Sequence, residues 1–386
     1  MIKRYVISIV LVLLIIMTGT GAFLLFKAAF TPAEQPTVVR PLHDSAPRSE
    51  EVPFSTHRTL STTANQAATT LMPWGIAIDN VHGFIWVAEP GCEPRPKCPS
   101  KTQGILGQYA LSDGNFIQNF NEPDGYSSPL FVAVDRDGDV WFTQPTSDAI
   151  GVFNPQEGIW NQWSLKKGSS PFGLTFDTNG NLWFTEFGSN KIGFLNPSTH
   201  QVVENPIPTS DSNPYGITIT PQGTLWFSEN AAGVDQIGSF TPTQSGTIKI
   251  TEHTAGAIRP HLIATDRAGN LWYSGGFGGN IGEFNPRSGN STIFVAFLGT
   301  CLTPPNCTGT HISGISVDNK GHVWFTDSLS QRVGYIIPST GQVVARTIHA
   351  SNTHPYDGLI VDSSDRAWFT EEYGRAIAMW PASVLR

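Results

Sequence analysis

The chain has 386 residues, of which 39% are hydrophobic and only 14% charged, with 38 Gly, 28 Pro, 11 Trp and 23 Phe. That composition argues against a helical bundle and against global disorder, and for many short strands joined by tight turns. The net charge is −8 and no basic run occurs, so nucleic acid is not an expected partner.

Lys3 and Arg4 precede Tyr5–Phe26, 22 residues without a charged side chain, and Lys27 closes the run. As a helix this stretch spans roughly 30 Å of hydrocarbon. The pattern predicts a transmembrane signal-anchor over residues 1–27, with the body outside the cytoplasm because the positive flank is N-terminal. A cleaved signal peptide is the rival reading and gives the same compartment. Residues 28–58, rich in Pro, Ser and Thr, read as a disordered linker. The four cysteines form two Cys-x5-Cys pairs, Cys92 with Cys98 and Cys301 with Cys307. In an oxidising compartment, two local disulfides are expected.

From residue 71 onward one phrase recurs: a Pro-aromatic-Gly start, an Asp-x-x-Gly turn, then Leu-Trp-Phe-Thr-Glu. Pro171-Phe-Gly with Gly180-Asn-Leu-Trp-Phe-Thr-Glu186 is the clearest copy. The repeat tryptophans are Trp86, Trp141, Trp183, Trp226, Trp272, Trp324 and Trp368, spaced by 55, 42, 43, 46, 52 and 44 residues. That period predicts an all-β, seven-bladed β-propeller of four-stranded antiparallel blades over residues 59–386. The last copy ends after its third strand, so residues 59–71 are expected to return as the closing fourth strand.

This strand order places the start of strand one and the end of strand two of every blade on one face. The starts are Trp74, Leu130, Phe172, Tyr215, His261, Ile312 and Tyr356. The ends include Glu89, Glu186, Glu229, Asp327 and Glu371. The expected mouth therefore carries an aromatic rim beside five carboxylates, a natural place for a small-molecule or peptide ligand. Trp74, Phe172, Tyr215, Tyr356 and Glu186 are candidate ligand contacts. Blade five departs from its siblings: it reads Arg259-Pro-His261 and ends in Tyr273-Ser-Gly-Gly-Phe277 without a carboxylate. His261 is suited to proton transfer near neutral pH.

Asn213-Pro-Tyr-Gly-Ile-Thr, Gly223-Thr-Leu-Trp-Phe-Ser-Glu229, Lys191-Ile-Gly and Arg259-Pro260-His261 together resemble the streptogramin B lyase (virginiamycin B lyase) family. The resemblance covers residues 71–386. It implies opening of a cyclic depsipeptide at its ester bond by elimination, with dependence on Mg²⁺ and with His261 as a catalytic candidate. Glu229, Asp327 and Glu371 are the residues expected to hold the metal. The family's Glu-Pro-His, one blade further on, has no counterpart: that blade reads Thr310-His-Ile-Ser-Gly314. Two other readings stay open, a non-catalytic propeller that binds a ligand or protein, and a gluconolactonase-like metal-dependent hydrolase; a monomer is expected on all three.

Overall fold

The turn between the first two strands explains why Asp and Trp recur six residues apart in five of the seven repeats. In the computed structural model, Asp177 Oδ1 accepts the backbone N–H groups of Asn179 and Asn181, while Oδ2 accepts the indole N–H of Trp183 at 2.9 Å. Gly180 takes the left-handed conformation, φ 83°, that this reversal requires. The same Asp-to-indole bond joins Asp135 to Trp141, Asp266 to Trp272, Asp318 to Trp324 and Asp362 to Trp368. A buried indole N–H left without an acceptor costs about 1–3 kcal/mol, so each Asp makes burial of its Trp possible.

The structure describes residues 38–41, 43–44, 55–58, 72–92, 98, 102–256, 259–295, 309–348 and 354–380. They form seven sheets, each built on four antiparallel strands. The innermost strands are Ile76–Asp79, Val132–Val134, Pro171–Phe176, Pro214–Ile219, Ile263–Thr265, Ile312–Val317 and Pro355–Val361. The propeller expected from the repeat period is therefore present.

Each repeat Trp is wedged against the next blade. Trp183 packs on Ile217, Leu225 and Phe227, Trp226 on Ile263 and Leu271, and Trp368 on Ile85 and Val87 of blade one, which closes the circle. The Phe one residue later faces the other way and covers the Gly of strand three. A Cβ on Gly193 would lie 2.0 Å from the Phe184 ring, which is why the third strand reads Ile-Gly.

Ring closure uses a strand just upstream of the expected one. Ser55–Arg58 pairs antiparallel with Ala376–Trp380 as the outer strand of blade seven. Residues 59–71, the expected closing segment, lie outside the described residues, as do the anchor at 5–26, Cys301 and Cys307. Within the expected linker, Val38–Pro41 pairs in parallel with the outer strand of blade five, and His43–Asp44 with that of blade six. These segments are thus paired strands, because the outer edges of blades five and six offer free backbone groups to them.

Candidate functional site

The inner strands do not stay regular to their ends. Pairing slips between Pro171 and Leu174, Pro214 and Ile217, Ile312 and Ile315, and Pro355 and Leu359. Such bulges bend the strand and re-aim the side chains within them. Phe172 and Tyr215, so turned, join Trp74 and Leu130 of blades one and two in one buried cluster, with Phe131, Phe187, Leu262 and Tyr356 half-buried against it. The aromatic starts predicted from the sequence are therefore gathered, but as a packed plug, since Trp74, Phe172 and Tyr215 are at most 3% exposed. Register places Ser313, not Ile312, opposite the others in blade six. Phe131 and Phe187 were not anticipated; each directly follows a residue that was named.

Of the carboxylates at the ends of the second strands, Glu186 and Asp327 are held by groups of their own blades. Along strand two, side chains alternate, so Glu186 lies on the face opposite Trp183 and Thr185. Glu89, Glu186, Glu229, Asp327 and Glu371 are all buried. Asp327 accepts from Arg332 at 2.7 Å, from Thr310 Oγ1 and from the backbone N–H of His311. Glu186 accepts from Ser189. Burial pushes Glu89 up to about 8, and burial together with the Glu252 charge pushes Glu229 up to about 8. Burial also raises Glu186, with the Glu204 charge adding to it. The neighbouring charges that act on Glu229 and Glu186 thus come from their own blades, not from one another. Glu229, Asp327 and Glu371 do not converge, and among the described residues no group of three or more His, Cys, Asp or Glu side chains is placed to hold a metal ion. The donor set does not fit the Mg²⁺ site inferred from the resemblance.

The charge at the axis comes from Asp357, which the sequence reading missed. Blade seven reads Pro355-Tyr-Asp-Gly358 where blade three reads Pro171-Phe-Gly173, so one residue is inserted within the bulge. Asp357 is buried. Its Oδ2 accepts from Trp74 Nε1 at 3.1 Å and from the Tyr215 hydroxyl at 2.5 Å, and its Oδ1 meets His261 Nε2 at 2.9 Å. Burial alone would raise this carboxyl. The His261 charge, the hydrogen bonds from His261 and Tyr215, and the His311 charge outweigh burial and hold it below the usual carboxylate range.

His261 is 3% exposed. Its ring stacks on Tyr215 with centroids 4.1 Å apart, and the His311 ring lies 5.6 Å away. Its Nδ1 is 3.3 Å from Asn230 Nδ2. His311 stacks on Tyr356 and against Phe277, whose glycine-rich loop leaves room for it. His354 pairs with Glu372 at 2.6 Å and stacks on Tyr373 at the outer side of the same cluster.

The connection from Pro90 to Gly104 leaves blade one on this face. A disulfide joins Cys92 to Cys98, and Cys92 Sγ lies 3.6 Å from Ser128 Oγ. Gly104 N–H donates to Glu122 Oε2 at 2.9 Å, and Gln144, where most blades end in an acid, donates to Glu122 Oε1.

With the propeller and its axial histidine in place, the comparisons with known proteins become specific. Residues 101–295, about half of the chain, match the Virginiamycin B lyase family. The chain belongs to that family. Among solved structures, a streptogramin B lyase is 22% identical with a TM-score of 0.68, covering 85% of this chain and 96% of its own. A selenomethionine-substituted virginiamycin B lyase from Staphylococcus aureus is 24% identical with a TM-score of 0.66, covering 85% and 99%. A catalytically inactive histidine-to-alanine variant of the Staphylococcus aureus enzyme with quinupristin is 25% identical with a TM-score of 0.67, covering 85% and 99%. No curated protein matches the chain. A hydrazine synthase from Kuenenia stuttgartiensis matches at 13% identity with a TM-score of 0.63, covering 84% and 99%, a likeness of fold alone.

Proposed function

We propose that this protein is a membrane-anchored, extracytoplasmic carbon–oxygen lyase that opens a cyclic ester at the mouth of the propeller channel. The observation that supports the reading is the place of His261, the histidine of Arg259-Pro-His261, on the axis among aromatic rings and backed by a carboxylate 2.9 Å away. In the elimination, the imidazole takes a proton from the carbon next to the one bearing the ester oxygen. The C–H electron pair becomes a C=C bond, the C–O bond breaks, and the ester oxygen leaves as carboxylate. No water is consumed. The half-buried Phe131, Phe187, Leu262 and Tyr356 offer an apolar surface to the ring of the substrate. No step is assigned to a metal ion, since the carboxylates inferred for it lie apart.

A second reading, a non-catalytic propeller that binds an apolar ligand, draws on the burial of His261 and on partners at both of its nitrogens. Incubating the full-length protein with quinupristin and following the product by chromatography and mass separates the two. An opened product of unchanged mass supports elimination, and gain of one water indicates hydrolysis. Saturable binding without turnover, weakened in Tyr356→Ala, establishes the binding module instead.

A further inference from the structure

Resting on that reading, we infer that Asp357 is the positioning residue that makes Nδ1 the basic nitrogen of His261. Asp357 exists at the axis because blade seven has one residue more than its siblings. Its inner strand, Pro355–Val361, spans seven residues against six for Pro171–Phe176, and the slip in pairing covers four positions where blade three covers three. Without the insertion, glycine would follow Tyr356 directly, as Gly173 follows Phe172, and no carboxylate would face the ring of His261.

The chemistry of the contacts then fixes the tautomer. An ionised carboxylate accepts and does not donate. Trp74 Nε1 and the Tyr215 hydroxyl both donate to Oδ2, so nothing at this centre offers His261 a proton through Asp357. The 2.9 Å contact therefore needs a proton on His261 Nε2. In the neutral ring that leaves the lone pair on Nδ1, and the nearest group is a donor, Asn230 Nδ2, at the long distance of 3.3 Å. Asn230 Nδ2 also reaches the carbonyls of Arg259 at 3.3 Å and Pro260 at 3.1 Å, so its two hydrogens are shared among three acceptors. The Nδ1 lone pair is thus weakly engaged, whereas Nε2 is firmly held. Once Nδ1 takes a proton, the imidazolium faces the Asp357 charge, which stabilises it. Among the described residues, the other titratable or charged groups against the ring are His311, Tyr215 and Tyr356, with Arg259 two residues back, and none of these supplies an anion at neutral pH.

The test is nitrogen NMR of full-length protein labelled at histidine, with His261→Asn giving the assignment. The expected wild-type signature is protonated Nε2 with unprotonated Nδ1, and it requires no variant and no substrate. In Asp357→Asn the single tautomer should give way to a mixture, while Tyr215→Phe, which keeps the carboxylate, should leave it unchanged. If quinupristin is opened, Asp357→Asn should lower kcat by about 100-fold or more, with KM changed far less. A wild-type Nδ1–H tautomer, or a tautomer untouched by Asp357→Asn, overturns the inference whether or not turnover occurs. The expected tautomer together with no turnover overturns only the lyase reading.

Discussion

Thr185 Oγ1 donates to the carbonyl of Tyr215 in the next blade at 2.7 Å and accepts the N–H of Gly173 in its own at 3.0 Å. Ser228, Ser274, Thr326 and Thr370 make the same bond to the carbonyls of His261, Ser313, Tyr356 and Trp74. The hydroxyl of the repeated Trp-Phe-Thr phrase is therefore the stitch that fixes where each axial side chain begins. Thr185→Val keeps the shape and removes the bond. It leaves a buried N–H and a buried carbonyl short of a partner, so a loss of about 1–3 kcal/mol is expected. Calorimetry should show a lower Tm, and an unchanged Tm would mean the hydroxyl contributes nothing.

His261→Ala is expected to do more than remove a base. Asp357 would lose one of three donors in a fully buried site, at a cost of about 2–4 kcal/mol. His261→Asn keeps an N–H group and should hold most of that stability. Both variants should lack turnover. Equal Tm values for the two would show that Asp357 does not depend on the imidazole.

Stability should also fall on the alkaline side. Glu89 and Glu229, each raised to about 8, bind protons in the folded state that the unfolded chain releases near 4.5. The folded state holds more protons between those values, so stability declines as pH rises from about 4.5 to about 8. Glu89 is wholly buried, and among the described residues neither of its oxygens has a hydrogen-bond partner. Glu89→Gln should raise Tm at pH 8.5 and change it little at pH 5. A Tm that climbs from pH 5 to pH 8.5 in the wild type would contradict this.

The blade count was legible because Trp recurs at a fixed place: the indole fills the gap to the next blade, and in five blades an Asp six residues earlier accepts its N–H. The outer strands carry no such marker, and the closing strand was accordingly placed a few residues downstream of Ser55–Arg58. Alternation along the strand sets Glu186 on the face opposite Trp183, and the burial of the acids carries no marker in linear sequence. His261 was legible as the odd member of an aromatic series. Asp357 was present in the same series as an extra residue before a glycine, but only the bulge shows that this residue turns to the axis.

The far face offers a simpler comparison among siblings. Four residues after the turn Asp, three blades place a side chain that donates to its Oδ2 and has polar N–H groups: Asn181 Nδ2 at 3.1 Å, Asn270 Nδ2 at 2.9 Å and Arg366 Nε at 2.6 Å. In a fourth, His322 Nδ1 lies 2.8 Å from Asp318. Blade two has Asp139 there instead. Burial first, then the charges of Asp135, Asp137 and Glu157, push Asp139 up to about 6. As a raised acid it favours the folded state while protonated, so its contribution is lost as pH rises from about 4 to about 6. Asp139→Asn restores the donor found in blades three and five and removes the repulsion. Because the site is partly exposed and screened, a gain of only about 0.5–1 kcal/mol is expected at pH 7. The gain should shrink toward pH 4, where Asp139 itself carries a proton to donate. Chemical denaturation of both proteins at the two pH values checks this. A variant no more stable than the wild type at pH 7, or one whose gain is the same at pH 4, would show that the Asp135–Asp139 repulsion has no energetic weight.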